Sequence, residues 1–138
     1  MNELNDLYQE LILDHNAKPH NYGELKDAKH KAEGFNPLCG DRIFITLKIE
    51  NGIVSGINFT GSGCAISKAS TSLMTVMVKG KSINETNSIF KAFHDMLTAD
   101  LYNEALLEKL VVFSGVKQFP MRVKCATLAW HTLMEALK

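Results

Sequence analysis

Two alternating segments around a central Asn51-Gly52 constrain the fold of this chain more than any other feature. Most of the apolar residues of the two segments have odd numbers, among them Ile43, Ile45, Leu47, Ile53, Ile57 and Phe59. Alternation with period two is typical of strands that bury one face, and an Asn-Gly pair favours a tight turn between them. The sequence therefore predicts a β-hairpin.

The pairing of residues that a tight turn imposes on this hairpin conflicts with the pairing that one shared buried face requires. A two-residue turn at Asn51-Gly52 pairs residue 50 with residue 53, and therefore sets odd residues opposite even ones. Because these six apolar residues all have odd numbers, one shared buried face requires a longer turn or a β-bulge with Gly52 at positive φ. Either solution leaves Cys39 and Cys64 within a residue or two of facing each other across the base of the hairpin.

Helical patterns surround the hairpin. Apolar residues at helical spacing predict five helices, over residues 3–14, 64–79, 82–97, 101–110 and 121–137. Ser82 and Glu85 form a predicted capping box at the start of the third helix, and a short strand is expected near the end of residues 24–34. No linker or repeat divides the chain, so we expect one domain over residues 1–138. Its class is α+β, a small three-stranded antiparallel sheet packed against about five α-helices.

The charge and hydropathy patterns exclude two classes of partner. The formal net charge is +0 at pH 7, whereas a dedicated nucleic-acid binder needs a basic excess or a dense basic face. The longest apolar runs, such as residues 110–113, are far shorter than the roughly 20 residues that span a bilayer. We therefore expect a cytoplasmic protein with no nucleic-acid or membrane partner.

The three cysteines lie at junctions between predicted elements. Disulfides are disfavoured in a reducing cytoplasm, so metal binding, thiol chemistry or core packing must explain these residues. Cys39 and Asp41 flank a glycine in a turn that allows both side chains to point to one centre. Cys64 follows a Gly-Ser-Gly loop and opens a helix, where unpaired N–H groups and the helix dipole lower the pKa of a thiol.

The third cysteine, Cys125, has Arg122 and Lys124 beside it, and positive neighbours favour a thiolate. An isolated cysteine is as often a small buried hydrophobe, and this alternative stays open for Cys125 in particular. Three sulfurs and the carboxylate of Asp41 nevertheless make four ligands, a set that suits a tetrahedral zinc ion or iron–sulfur chemistry. Three thiolates and a carboxylate around Zn²⁺ carry a net negative charge, for which Arg42, Arg122 and Lys124 are the candidate counter-charges.

Three motifs that contain these cysteines resemble those of a known family. They are residues 36–41 (NPLCGD), 61–70 (GSGCAISKAS) and 119–126 (FPMRVKCA). They are similar to the cysteine motifs of the IscU and NifU N-terminal family of iron–sulfur assembly proteins, and most similar to its SufU branch. Lys124 stands where the ordinary scaffold branch has a histidine, and the segment between Cys64 and Cys125 is longer than in that branch. The resemblance covers nearly the whole chain and supports the α+β fold.

The resemblance implies a zinc-dependent sulfur acceptor, similar to a sulfurtransferase, in iron–sulfur cluster assembly. Its expected partners are a SufS-like, PLP-dependent cysteine desulfurase and downstream iron–sulfur assembly proteins. The expected Zn²⁺ ligands are Cys39, Asp41, Cys64 and Cys125. Cys39 would accept the persulfide sulfur, and Arg122 would orient it. Two alternatives remain: a scaffold on which a [2Fe–2S] cluster is assembled by the same residues, and a non-catalytic, zinc-stabilised interaction domain.

Overall fold

The computed structural model describes residues 3–138, and their side chains from Leu7 onward. The helices and strands follow one another in the order α1 (Glu3–Ala17), β1 (His30–Asn36), β2 (Asp41–Glu50), β3 (Ile53–Ser62), α2 (Ala65–Val78), α3 (Ile83–Ala99), α4 (Glu104–Leu107), a 3₁₀ segment (Glu108–Gln118) and α5 (Pro120–Leu137). The three strands form an antiparallel sheet in the order β1-β2-β3. The predicted α+β class is therefore confirmed.

The hairpin combines a tight turn with a bulge. Asn51 and Gly52 both have positive φ, 54° and 75°, as the two-residue turns that match strand twist require. The register shifts by one residue close to this turn, where Ser55 is the extra residue of a β-bulge. Beyond the bulge, Ile45 pairs with Phe59 and both side chains are buried. The predicted bulge is confirmed, although it lies at Ser55 and not at the turn glycine.

The core lies between the sheet and the helices α2, α3 and α5. Its centre is aromatic: Trp130 of α5 is fully buried, with its ring 5.5 Å from that of Phe93 on α3, which in turn lies 6.0 Å from Phe113. Strand β1 contacts α5 closely at Gly34, where an added Cβ would overlap the side chain of Thr132. Helix α5 is thereby held against the end of the sheet that carries the first cysteine.

The segment between α3 and α5 differs from its prediction. A helix is expected over residues 101–110, whereas α4 is one turn long and is followed by a 3₁₀ segment that continues to Gln118. Four of the five buried residues of this segment recur at every third position, namely Leu107, Leu110, Phe113 and Val116, and the fifth is Val112. A spacing of three places side chains on one face of a 3₁₀ helix, not of an α-helix. The pattern was interpreted with the wrong period.

The remaining helices agree with the sequence pattern. The capping box is present, with the Ser82 hydroxyl accepting from the Glu85 amide and the Glu85 carboxylate accepting from the Ser82 amide, both at 3.0 Å. Within residues 3–138, no helix is long and apolar enough to cross a membrane.

Candidate metal centre

Three segments meet at one end of the sheet: the β1–β2 turn, the loop from β3 into α2, and the first turns of α5. The β1–β2 turn is closed by Asn36, whose carbonyl accepts from the amides of Cys39, at 3.3 Å, and Gly40, at 2.8 Å. This tight turn leaves the thiol-bearing residue Cys39 exposed. Asp41 follows at the start of β2, directly opposite Asn36 in the register.

Asp41 is the buried hub of the site. Its side chain has no solvent exposure, and its Oδ1 accepts a hydrogen bond of 2.9 Å from the amide of Cys64. The Cys64 thiol donates to the other carboxylate oxygen at 4.0 Å. Gly63 makes this approach possible, because a Cβ at that position would overlap the carboxylate of Asp41.

Cys64 is the N-cap of α2, as the sequence predicted. Its Sγ accepts from the amide of Ser67 at 3.4 Å, which satisfies one of the free N–H groups of the first turn. Cys64 is half-buried. The sulfur therefore lies at the positive end of a helix and next to the carboxylate of Asp41.

Cys125 completes the cluster from α5. It is buried, and its thiol donates to the sulfur of Cys39 at 3.4 Å. The ligand atoms of Cys39, Asp41 and Cys125 all lie within 4.8 Å of one another, and Cys64 adjoins this group through Asp41. The structure thus brings the four predicted ligand residues to one place, from positions as far apart as 39 and 125.

The protonation of Cys125 differs from the expectation. Burial raises the pKa of this thiol well above its usual range, and its hydrogen bonds with Asp41, Cys39 and Cys64 raise it further. Arg122 and Lys124 are both exposed, and the guanidinium of Arg122 lies 4.6 Å from the ring centroid of Phe119. The prediction that these cations make Cys125 a thiolate is wrong for the metal-free chain, because burial and the neighbouring acceptors dominate.

The donor set nevertheless fits a divalent metal. Within the described residues, no Lys, Arg or His nitrogen lies within 4 Å of the Asp41 carboxylate; the neighbouring Arg42 points outward, 3.7 Å from Glu33. A buried carboxylate without a counter-charge is costly. Three sulfurs and one oxygen around this charge match the soft, four-coordinate preference of zinc or iron.

The five histidines were not assigned to the metal, and none of them belongs to the ligand group found among residues 3–138. His15 is buried and bonds through Nδ1 to the Ser72 hydroxyl at 2.7 Å. Burial lowers the pKa of His15, with smaller contributions from the positive charges of His20 and Lys109. Its role is to attach the end of α1 to α2.

Two residues of this site were missed in the sequence. Asn36 and Ser67 are both buried, and the Nδ2 of the first and the Oγ of the second have no hydrogen-bond partner among the described residues. The available signal was positional: Asn36 opens the first cysteine motif, and Ser67 lies three residues after the second cysteine. Neither residue type is a usual metal ligand, so the search for ligands passed over them.

Comparison with known proteins identifies the family. Residues 7–137 match the family of the NifU-like N terminal domain. The chain is 43% identical over 131 residues to the zinc-dependent sulfurtransferase SufU of Bacillus subtilis, a match that covers 94% of this chain and 88% of that protein. It is 40% identical over 140 residues to the iron–sulfur cluster assembly scaffold protein IscU of Streptococcus pyogenes, covering 100% of this chain and 87% of that one.

Solved structures share the fold. A crystal structure of a proposed iron–sulfur cluster assembly scaffold protein for the SUF system of Fervidobacterium islandicum AW-1 superposes with a TM-score of 0.90 at 35% identity, over 94% of this chain and 95% of that one. The N-terminal NifU-like protein of Brucella abortus has the same fold, with a TM-score of 0.88 at 23% identity, over 97% of this chain and 94% of that one. The chain is therefore a SufU-type member of the NifU-like N-terminal family of iron–sulfur cluster assembly proteins.

Proposed function

We propose that this protein is a zinc-dependent sulfur acceptor, which takes persulfide sulfur from a cysteine desulfurase onto Cys39. The observation that carries this proposal is the difference in exposure within one cluster. Cys39 is exposed while Cys125, in contact with it, is buried. Cys64 is half-buried, so Cys39 is the most accessible of the three cysteines to a partner protein.

The transfer is a thiolate–persulfide exchange. The Cys39 thiolate attacks the outer sulfur of the persulfide on the desulfurase cysteine, and a new S–S bond forms at Cys39. The S–S bond on the desulfurase breaks, and its cysteine leaves as a thiolate. The sulfane sulfur moves with its proton and no external oxidant or reductant is needed, because one S–S bond replaces another.

The proposed Zn²⁺ ligands are Cys39, Asp41, Cys64 and Cys125. Bound zinc would hold the cysteines as thiolates and protect them from oxidation. The fold holds two of these four ligands in place more firmly than it holds Cys39. Asp41 is anchored by the Cys64 amide, and Cys125 is held within a long helix, whereas Cys39 lies on a short turn.

Arg122 is the proposed orienting residue. It is exposed on α5, one turn before Cys125, and its guanidinium lies over the ring of Phe119. A cation at this position would attract the negative charge of an incoming persulfide. Lys124, also exposed, would add to the same field.

The proposed partners are a SufS-like cysteine desulfurase and the downstream proteins of iron–sulfur assembly. A cytoplasmic location is part of the proposal, since the three cysteines are free thiols and a reducing compartment keeps them so. The same location would supply the PLP-dependent desulfurase reaction that generates the persulfide.

A scaffold for a [2Fe–2S] cluster is the second candidate. It is supported by the relatives named as IscU scaffold proteins, including one from Thermotoga maritima that is 41% identical over 132 residues. Thiolate ligands also suit iron–sulfur clusters. Metal and acid-labile sulfide analysis of the purified protein separates the two candidates, since tightly bound zinc without sulfide is expected of the sulfur acceptor.

The decisive experiment is desulfurase turnover with the zinc-loaded wild type and Cys39→Ala. We expect the wild type to stimulate alanine release over many turnovers, and the variant to remain at the level of the desulfurase alone. Leu38→Ala, an exposed neighbour on the same turn, is the matched control and should retain stimulation. Full stimulation by a zinc-bound Cys39→Ala protein would contradict the acceptor role and favour a non-catalytic, zinc-stabilised interaction domain.

A further inference from the structure

Two buried donors border the sulfur cluster without a partner. Asn36 is 8% exposed and Ser67 is 0% exposed, yet Asn36 Nδ2 and Ser67 Oγ make no hydrogen bond within the described residues. The third such group, the indole N–H of Trp130, lies in the aromatic core between α3 and α5. Buried polar groups are nearly always paired, so two orphans at one site indicate an acceptor that forms there.

Asn36 reaches the site from the sheet. It pairs directly with Asp41 in the β1–β2 register, and residues directly opposite each other project to the same face of a sheet. Its Oδ1 accepts from the Leu38 amide at 3.2 Å, which fixes the orientation of the side-chain amide. The NH₂ group is therefore on the far side from Leu38, on the face that carries the Asp41 carboxylate.

Ser67 reaches the site from α2. It lies one turn before Ser70, whose hydroxyl donates to the carbonyl of Ala126 at 2.6 Å, next to Cys125. Its own amide donates to the sulfur of Cys64. In a capping box its side chain would bond the Cys64 amide, but that amide already donates to Asp41. The hydroxyl of Ser67 is therefore buried without a partner in the first turn of the helix that Cys64 caps.

We propose that Asn36 and Ser67 are positioning residues, which donate N–H···S and O–H···S hydrogen bonds to the cysteine sulfurs when these become thiolates. A thiol sulfur is a weak acceptor, whereas hydrogen bonds to an ionised acceptor are roughly twice as strong as neutral ones. The donors are unpaired in the metal-free chain, and each gains an ionised sulfur acceptor in the metal-bound one. This inference rests on the proposed metal site and extends it to the residues that support its ligands.

The test uses Ser67→Ala with Zn²⁺ and Co²⁺ as probes. We expect the zinc affinity, measured against a chromophoric chelator, to fall by about 10-fold, since outer-shell partners typically change metal affinity by ~10–100-fold. The sulfur-to-cobalt charge-transfer band should move to longer wavelength, because a lost hydrogen bond raises the energy of the sulfur lone pairs. Ser67→Thr keeps the hydroxyl and should restore both values.

Ser70→Ala is the matched control, because it removes a buried hydroxyl one turn away that is bonded to a carbonyl. It should lower the free energy of unfolding and leave the cobalt band in place. Ser67→Ala should instead shift the cobalt band and leave stability unchanged. Metal-free protein of this variant should unfold at the wild-type urea concentration, since the deleted hydroxyl has no partner in the metal-free chain. A destabilised Ser67→Ala protein with an unchanged cobalt band would overturn the proposal for Ser67.

Asn36→Asp tests the second donor. Aspartate keeps the oxygen that accepts from the Leu38 amide but has no NH₂ group, so the cobalt band should shift as in Ser67→Ala. Asn36→Ala should shift it too. If only Asn36→Ala does so, the turn and not the donor matters, and the role of Asn36 is overturned. If the wild type forms no sulfur-to-cobalt band at all, the proposed metal site itself fails, and the donor proposal fails with it.

Discussion

Helix α2 carries two buried polar clusters that differ in one respect, the pairing of their groups. Near its middle, the Ser72 hydroxyl accepts from the His20 amide at 2.8 Å and bonds the ring of His15. One turn later, the Thr75 hydroxyl accepts from the side chain of Asn21 at 3.0 Å. This middle cluster is internally satisfied and attaches α1 and its following turn to the core.

In the cluster at the start of α2, by contrast, some of the buried polar groups are unpaired. Cys64 and Asp41 bond each other, but Ser67 Oγ and Asn36 Nδ2 have no partner among the described residues, and the Asp41 charge has no nearby cation there. Asp41 and Ser67 in this cluster are as fully buried as Ser72 and Thr75 in the other, and the two clusters differ in the pairing of their polar groups. Within one helix, satisfied polar groups indicate a structural role and unsatisfied ones indicate a place for a ligand.

The largest effect that sharpens this contrast is expected from Asp41→Ala. This change removes a proposed ligand and leaves the Cys64 amide without its acceptor. Zinc affinity should fall by at least about 100-fold, beyond the ~10–100-fold effect of outer-shell partners. Competition with a chelator measures it. An affinity within a factor of about 3 of wild type, inside the usual scatter of single-interaction effects, would mean that the carboxylate is not a ligand.

A smaller effect of a different kind is expected from Ser72→Ala in the middle cluster. The substitution leaves the His20 amide and the His15 ring without a partner, and should lower the free energy of unfolding by about 1–3 kcal/mol. Urea denaturation measures this loss. Zinc affinity should stay at the wild-type value; a parallel loss of zinc binding would show that the two clusters are coupled, and that the contrast between them is wrong.

The smallest effect concerns pH. The pKa of His15 is lowered, mainly by burial and then by the charges of His20 and Lys109, against a weaker opposite effect of Asp14. The unfolded chain therefore binds a proton before the folded one does, so stability is complete above the usual histidine pKa and declines as the pH falls below about 6.5. His15→Gln should flatten this decline in urea titrations.

The control for this experiment is His131, whose pKa is also lowered, by burial and by His94. His131→Gln should remove its own part of the decline and leave that of His15. The two histidines lie on different helices, α1 and α5, so their contributions should add. A decline that is unchanged in His15→Gln would show that the middle cluster tolerates a charged imidazole.

The sequence was most informative where local rules act. The odd-numbered apolar residues predicted either a longer turn or a bulge in the hairpin, and Cys64 was expected at the start of a helix that follows a Gly-Ser-Gly loop. It was misleading at residues 101–110, where one α-helix is predicted although Glu108 at positive φ ends α4 and a 3₁₀ segment follows. The number of residues per helical turn depends on the neighbours against which a segment packs. The tertiary structure therefore decides between an α-helix and a 3₁₀ helix here.

The candidate site also combines features that the sequence predicts with features that it does not. Residue types and motifs were enough to select Cys39, Asp41, Cys64 and Cys125, because soft sulfur ligands and a carboxylate have few other uses together in one chain. The protonation of Cys125 could not be predicted, since it follows from burial and from acceptors that are distant in sequence. The donors Asn36 and Ser67 could not be predicted either, because an unpaired group is defined only by what surrounds it.

By itself, then, the sequence determined the three strands, the helices outside residues 101–118 and the side chains that can bind a metal, since propensity, periodicity and ligand chemistry are local properties. Only the tertiary structure decided that Cys39 is exposed while Cys125 is buried, that Asp41 has no counter-ion among the residues described, and that the donors of Asn36 and Ser67 are buried without a partner there. Exposure, ion pairing and hydrogen bonding all depend on the atoms that surround a group. At this site those atoms come together only when the end of the sheet, α2 and α5 pack against one another.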